Sequence, residues 1–201
     1  MKLARSAAAG LGLVASGCAY APAPITVNSS ASTSTFAEAQ TSPASPLQSV
    51  CVVQILEVTD TRLDPDTIGI IFDKAIKAPK DRTAWLRGMI ASLESRGIDV
   101  VFPDEIATST PLVSIRIHFD KAWLMDNYDA VVSSVLFRVV EPKADGTVSQ
   151  VQFTGKDRAS TILKLGAGQA NSALDSALTQ ALDSMALHLK GRCAGKLARR
   201  V

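Results

Sequence analysis

The chain has 201 residues, 47% of them hydrophobic, with 21 Lys and Arg against 19 Asp and Glu. That is enough apolar material for one core domain plus a tether. The near-zero charge balance excludes the broad basic face that nucleic-acid binding requires.

Taken in order, Lys2 and Arg5 precede a short apolar run, Ala7 to Ala15, that ends in small residues at Val14-Ala15-Ser16-Gly17-Cys18. A basic start, a short apolar stretch and small residues make a secretory signal. The run is too short for a transmembrane helix, which needs about 20 apolar residues. The end of the run resembles the lipobox of bacterial lipoproteins, although Ala15 stands where that family prefers Leu. The resemblance implies acylation at Cys18 and removal of residues 1–17. Cleavage after Ala19-Tyr20-Ala21 as an ordinary signal is the alternative. Since Lys2 and Arg5 leave with the signal, the mature chain is formally neutral.

Residues 18–49 are rich in Ser, Thr, Ala and Pro and show no apolar period. Such composition cannot bury enough surface to offset its ordering entropy. It predicts a flexible tether with a reach of roughly 30 Å.

A single domain is expected over residues 50–193. Val50 to Val58 is a dense β-branched run and predicts a buried strand. Thr59 to Asp66 predicts a loop, in which Asp60 and Arg62 could pair, and Ile68 to Phe72 a short extra strand. Asp81 is a good N-cap. The residues Trp85, Leu86, Met89, Ile90 and Leu93 fall on one helical face, and Gly97 can end that helix. Ile98 to Phe102 predicts the second main strand. From Leu112 to Gly155 the pattern is an antiparallel meander. Val113, Ile115, Ile117 and Phe119 alternate with polar residues, and Val131, Val135, Phe137 and Val139 form the next inward row. Turns are expected at Asp126 to Asp129 and at Asp145-Gly146, with a shorter third strand through Val151 and Phe153. Ala159 to Gln169 predicts a loop. A second helix is expected from Asn171 to Leu189, with Leu174, Ala177, Leu178, Ala181, Leu182, Met185 and Leu189 on its apolar stripe, ended by Gly191. Residues 194–201 are left as a basic tail.

The order β-α-β, then a β-meander, then α, predicts an α+β fold: a mixed five-stranded sheet with two helices on one face. A right-handed crossover sets the first two strands parallel, and 2-1-3-4-5, with the third strand parallel to the first, is the strand order chosen; a third strand antiparallel to the first is the alternative. The chosen order brings the end of the last helix to the start of the first strand. Cys51 and Cys193, the pair left once Cys18 is acylated, are then expected to form a disulfide in an oxidising compartment.

Catalytic and metal chemistry find little support. His118 and His188 have no Cys or carboxylate at metal-ligand spacing. No Gly-x-Ser-x-Gly elbow occurs. Gly166 to Gly168 lacks the Lys-Ser/Thr of a phosphate loop. The pairs Asp64/Asp66 and Asp126/Asp129 sit in turns, where Asp bonds its own backbone. No cofactor, metal or catalytic residue is expected. A cluster of Trp123, Leu124, Met125 and Tyr128 near a hairpin tip is the candidate patch for a partner.

The layout resembles the YajG-type lipoproteins of Gram-negative outer membranes. The matching features are the short signal with Cys18, the Ser- and Pro-rich segment, the strand leading to Asp60-Thr-Arg62-Leu-Asp64, the helix ending Leu93-Glu-Ser-Arg96-Gly97, the strand starting Pro111-Leu-Val and the late Ala/Leu/Asp helix. The Cys51 and Cys193 pair is not part of that pattern. The resemblance implies attachment at the periplasmic face of the outer membrane, with Ala19 rather than Asp after the acylated Cys. The function expected is that of a lipid-anchored, non-catalytic binding or accessory module with an envelope protein partner and no nucleic acid. An auxiliary lipoprotein of a lipid or ABC-type transport system, with an apolar groove, is the alternative, and an envelope hydrolase a minor one.

Overall fold

A computed structural model describes residues 51–107, 109–127, 130–160 and 167–198. The lipobox, the Ser/Pro-rich segment, Tyr128 and the last three residues lie outside them. The elements are β1 (Cys51–Asp60), β2 (Thr67–Ile71), β3 (Lys74–Lys77), α1 (Arg82–Ala91), β4 (Ile98–Val101), β5 (Val113–Asn127), β6 (Ala130–Pro142), β7 (Val148–Ser160) and α2 (Ala167–Ala198).

The fold is α+β, with a mixed seven-stranded sheet. β1 lies parallel to both β4 and β5, while β5, β6 and β7 form an antiparallel meander. This is the expected order of the five main strands. Two short strands are added: β2 runs parallel to β5 at Gly69 and Ile70, and β3 pairs antiparallel with β2. β2 therefore follows β1 in the lane beside β5. β3 lies outside β2, as β4 lies outside β1.

β5 shows how the core is selected. Val113, Ile115, Ile117 and Phe119 point into the core, the polar residues between them outward. A bulge between Phe119 and Lys121 then shifts the register by one residue. A one-residue slip exchanges the two faces of a strand, so the inward set continues as Ala122 and Leu124. Opposite them on β6 stand Val131, Val135, Phe137 and Val139, with Phe119 and Phe137 ring to ring at 5.0 Å.

Both helices contribute to the one core cluster. α1 begins where Asp81 accepts a hydrogen bond from the Ala84 amide at 2.9 Å. It sends Trp85 edge-on against Phe119, with ring centroids 5.5 Å apart. The expected helix through Arg96 is split. α1 stops at Ala91, and a separate 3-10 turn, Glu94–Arg96, leads into Gly97 at φ 77. The Ser92 hydroxyl donates back to the Met89 carbonyl at 2.7 Å. Such local side-chain bonds compete with helix continuation.

Three further expectations are corrected. β7 does not end near Gly155 but is as long as β6. Gly155 is a helix seat instead: a Cβ there would lie 2.6 Å from the Ala177 carbonyl carbon and 3.0 Å from the Ala181 nitrogen. Only a residue without a Cβ lets α2 approach the sheet this closely. Second, α2 starts at Ala167 and runs to Ala198, through Gly191 and into the expected tail. Its last turns are fastened independently of helix propensity. Cys193 is bonded to Cys51, with Cα atoms 5.6 Å apart. Arg192 and Lys196 both pair with the nearly buried Glu141 of β6, at 2.7 and 3.0 Å. Third, the expected loop at Ala159 to Gln169 is shortened from both ends, since β7 reaches Ser160 and α2 begins at Ala167.

Candidate functional site

β4 accompanies β1 only from Cys51 to Gln54. Beyond that point the chain leaves the sheet through Phe102 and Pro103, and among the described residues no strand pairs with the outer side of β1. A cleft of about 420 Å³ opens there. It is lined by Val58, Thr59 and Asp60 of β1, by Leu86 of α1 and by Phe102. Pro65 and Pro103 also line it, with Arg82, Thr83 and Arg87 of α1. It lies past the C-terminal end of β4, alongside the last residues of β1 and beside the first residues of α1.

The two arginines are held from outside the cleft. Arg82 pairs with Asp66 at 2.8 Å, and both side chains are well exposed. Arg87 stacks 4.1 Å above the Phe102 ring and reaches Asp104 and Glu105. The hydrogen bond from Arg87 holds the Asp104 carboxyl below its usual range, and Asp104 in turn raises Arg87. Exposed pairs of this kind are screened by solvent and add little to stability. The loops that border the cleft also carry Leu63, 106% exposed, and Ile106, 94% exposed.

Asp60 and Arg62 form the expected pair, and it is nearly buried, with side chains 13% and 4% exposed. The contact is bidentate at 2.8 and 2.7 Å. Arg62 also donates to the carbonyls of Pro65 and Thr67, and its guanidinium lies 5.0 Å from the Phe119 ring centroid and 5.6 Å from that of Trp85. It ties the loop at residues 61–66 down on the core and so fixes one rim of the cleft. Asp60 faces the cleft with its charge already matched.

The other sequence candidates separate. Leu124 belongs to the core and is fully buried. It leaves the patch for the reason given above: the bulge after Phe119 turns it inward. Trp123 is half-buried, and Met125 is 46% exposed beside Ile70 of β2, itself 43% exposed. These residues sit within β5, not in a loop. Tyr128 and Cys18 lie outside the described residues. His188 packs on Phe153 with centroids 5.5 Å apart, and burial pushes its pKa down. His118 is half-buried on the outer face of β5, next to the Asp120–Arg138 pair, which is bidentate at 2.7 and 2.9 Å. Among the described residues no group of three or more His, Cys, Asp or Glu could hold a metal.

The sequence reading missed Arg82, Arg87 and Phe102. Arg82 and Arg87 sit five apart and beside the apolar face of α1, which marks them as flank residues. Nothing local joins them to Val58 or Phe102; only the crossover does.

No family model matches the chain, and no curated protein matches it. Membership of the YajG-type family is therefore not shown. Among solved structures the chain is similar to protein XCC0632 of Xanthomonas campestris, described under the family model DUF330. The identity is 12%, the match covers 82% of this chain and 95% of that one, and the TM-score is 0.51. It is also similar, with a TM-score of 0.39 and 12% identity over 82% and 97% of the two chains, to a Helicobacter pylori homolog of a neuraminyllactose-binding hemagglutinin. The first likeness shows a shared fold. The second is too remote to carry an argument.

Proposed function

We propose that the protein is a lipid-anchored, non-catalytic binding module of the bacterial envelope, attached through Cys18 to the outer membrane and facing the periplasm. In this reading residues 18–49 are the tether, and the cleft between β1 and α1 receives an envelope protein partner. The YajG-type resemblance belongs to the same proposal. The observation that carries it is the polarity of the domain. Cys51, where the tether joins, is locked to Cys193 at one end of β1. The cleft and the exposed Leu63 and Ile106 lie at the other, about 30 Å away for a ten-residue strand. The binding end therefore points away from the attachment point. The disulfide itself fits an oxidising compartment. Among the described residues no helix is long and apolar enough to cross a membrane, so attachment in this reading rests on the acyl chains, two of which give stable anchoring.

The transport-auxiliary reading asked for an apolar groove between helix and sheet. Beneath α2 the helix backbone sits directly on Gly155, and the described opening between helix and sheet is the cleft beside α1, where Leu86 and Phe102 stand with the charged Asp60, Arg82 and Arg87. Two experiments test the proposal. Radiolabelled palmitate should enter the wild-type protein and not Cys18→Ser. A photo-crosslinking residue at Thr83, in the cleft, should capture an envelope protein in cells, whereas one at the exposed Leu187 of α2 should not. Failure of palmitate labelling overturns the anchor, and equal capture at both positions overturns the cleft.

A further inference from the structure

The cleft is more specific than an apolar hollow, because part of its lining is a strand edge that is unpaired among the described residues. β5 pairs with β1 along Val53 to Asp60, but β4 leaves the opposite side of β1 after Gln54. Further along, β3 occupies the outer lane beside β2. Among the described residues no strand occupies the lane between β4 and β3. The Thr61 amide donates to the Phe119 carbonyl at 3.1 Å, so Thr61 directs its main chain toward β5. Alternation along the strand then turns the N–H and C=O groups of Val58 and Asp60 the other way, into the cleft. Neither has a main-chain partner across that edge among the described residues. Unpaired N–H and C=O groups at strand spacing are a template for an added strand.

We propose that the cleft binds an extended peptide segment of a partner protein by strand addition to β1, filling the lane between β4 and β3, and that Arg82 and Arg87 select a segment carrying carboxylates. This rests on the binding-module reading above and names the partner's chemistry. Main-chain bonds at Val58 and Asp60 supply affinity, and side-chain pockets supply specificity, as in other strand-addition complexes. Leu86 and Phe102 give it apolar lining. The charged groups lining the cleft are Asp60, already matched by Arg62, and the two arginines. The cleft therefore offers two guanidiniums whose present partners, Asp66 for Arg82 and Asp104 with Glu105 for Arg87, do not line it and are exposed, so that a carboxylate entering the cleft can exchange with them. The exposed Leu63 and Ile106 on the bordering loops suit an apolar flank of the same partner.

The test uses the full mature chain, detergent-solubilised and isotope-labelled, with three probes: the peptide Val-Glu-Val-Glu-Val, its Val-Lys-Val-Lys-Val counterpart, and the first peptide N-methylated at alternate residues. The Glu peptide should slow amide exchange at Val58 and Asp60 and bind more tightly than the other two. Arg82→Gln and Arg87→Gln should each weaken it by roughly tenfold, the scale of one charge-assisted bond. Equal binding of the Lys or N-methylated peptide, or binding without protection at Val58 and Asp60, overturns the proposal. So does full protection of both amides in the free protein, since the lane would then be filled by the chain itself. If the probes fail while Thr83 still crosslinks to an envelope protein, the binding module stands and strand addition falls.

Discussion

Replacing Gly155 by Ala should unseat α2, whereas the same change at Gly191 should strengthen it. At Gly155 the new Cβ would lie 2.6 Å from the Ala177 carbonyl carbon, while unstrained carbon contacts need about 3.5 Å or more. The obstacle is helix backbone on one side and strand backbone on the other, so no side chain can rotate away. α2 must therefore retreat by about 1 Å. A gap of that size forfeits about a quarter to a half of the dispersion energy of each facing contact, and the facing residues are the fully buried Ala173, Ala177 and Ala181. Overpacking typically costs about 1–3 kcal/mol, and the rigidity here puts Gly155→Ala near the top of that range, about 3 kcal/mol. At Gly191, by contrast, nothing lies within 4 Å of the added methyl, and removing a mid-helix glycine should stabilise by about 0.8–1 kcal/mol. Urea unfolding followed by far-ultraviolet circular dichroism reads both. With a slope near 2 kcal/mol/M, the midpoint should fall by about 1.5 M for the first variant and rise by about 0.4 M for the second. A fall of less than 0.3 M for Gly155→Ala, or any loss for Gly191→Ala, would refute the described seating of the helix.

Removing the disulfide as Cys51→Ala with Cys193→Ala should lower stability by about 5 kcal/mol, the chain-entropy value for a loop closed over a sequence separation of 142; identical urea midpoints with and without reductant would contradict it. Asp60→Asn leaves the buried Arg62 without its counter-charge and should cost about 3–5 kcal/mol, with Asp60→Asn plus Arg62→Met recovering part of the loss in a thermal melt. The hydrogen bond from Arg138 lowers the pKa of Asp120 below the ordinary 3.8. A carboxyl depressed in the folded state adds stability that is complete above the unfolded value and lost as pH falls through the folded one. Unfolding curves between pH 7 and pH 3 should therefore show a smaller acid loss for Asp120→Asn than for wild type, and parallel losses would dismiss the pair as a contributor.

The parallel first pair and the antiparallel meander were legible because they follow from a few coarse constraints, while setting the third strand beside and parallel to the first was a choice those constraints permit. One helix between two β runs forces a right-handed parallel crossover, and clean alternation from Val113 onward forces a meander. The Cys51 to Cys193 bridge followed from that choice of third strand. What escaped was set by single residues whose effect depends on the partner strand. The bulge after Phe119 carries no turn residue, yet it moves Leu124 into the core and out of the expected patch. The β2–β3 hairpin turns at Phe72 and Asp73, which adopt φ 48 and 58. Phe is not a residue that advertises a left-handed turn, so β3 had no signal. Gly155 was read as the end of a strand because its purpose, the approach of Ala177 and Ala181, lies some twenty residues further along the chain. The extension of α2 past Gly191 has the same character. Gly191 is a plausible stop by propensity, but the bond at Cys193 and the Glu141 pairings outweigh it.

The disulfide and the cleft are linked through β1. This strand carries Cys51 at one end and, at the other, the edge at Val58 and Asp60 that is unpaired among the described residues, and β5 flanks it along Val53 to Asp60. A tether pulling at residue 50 would act on a terminal strand residue, the part of a domain most prone to fray. The bond to Cys193 passes that load into α2, which is pinned near the same point by Glu141 and along its length by the Gly155 seat. The buried Asp60–Arg62 pair fixes the opposite end of β1 against Trp85 and Phe119. An added strand would gain from this arrangement, because its main-chain partners are held at both ends before it arrives, and a pre-ordered edge lowers the ordering cost of binding. The bridge thus does more than close a loop: it joins the first residue of β1 to the last turns of α2, so that the strand is fastened at one end by Cys193 and at the other by Arg62.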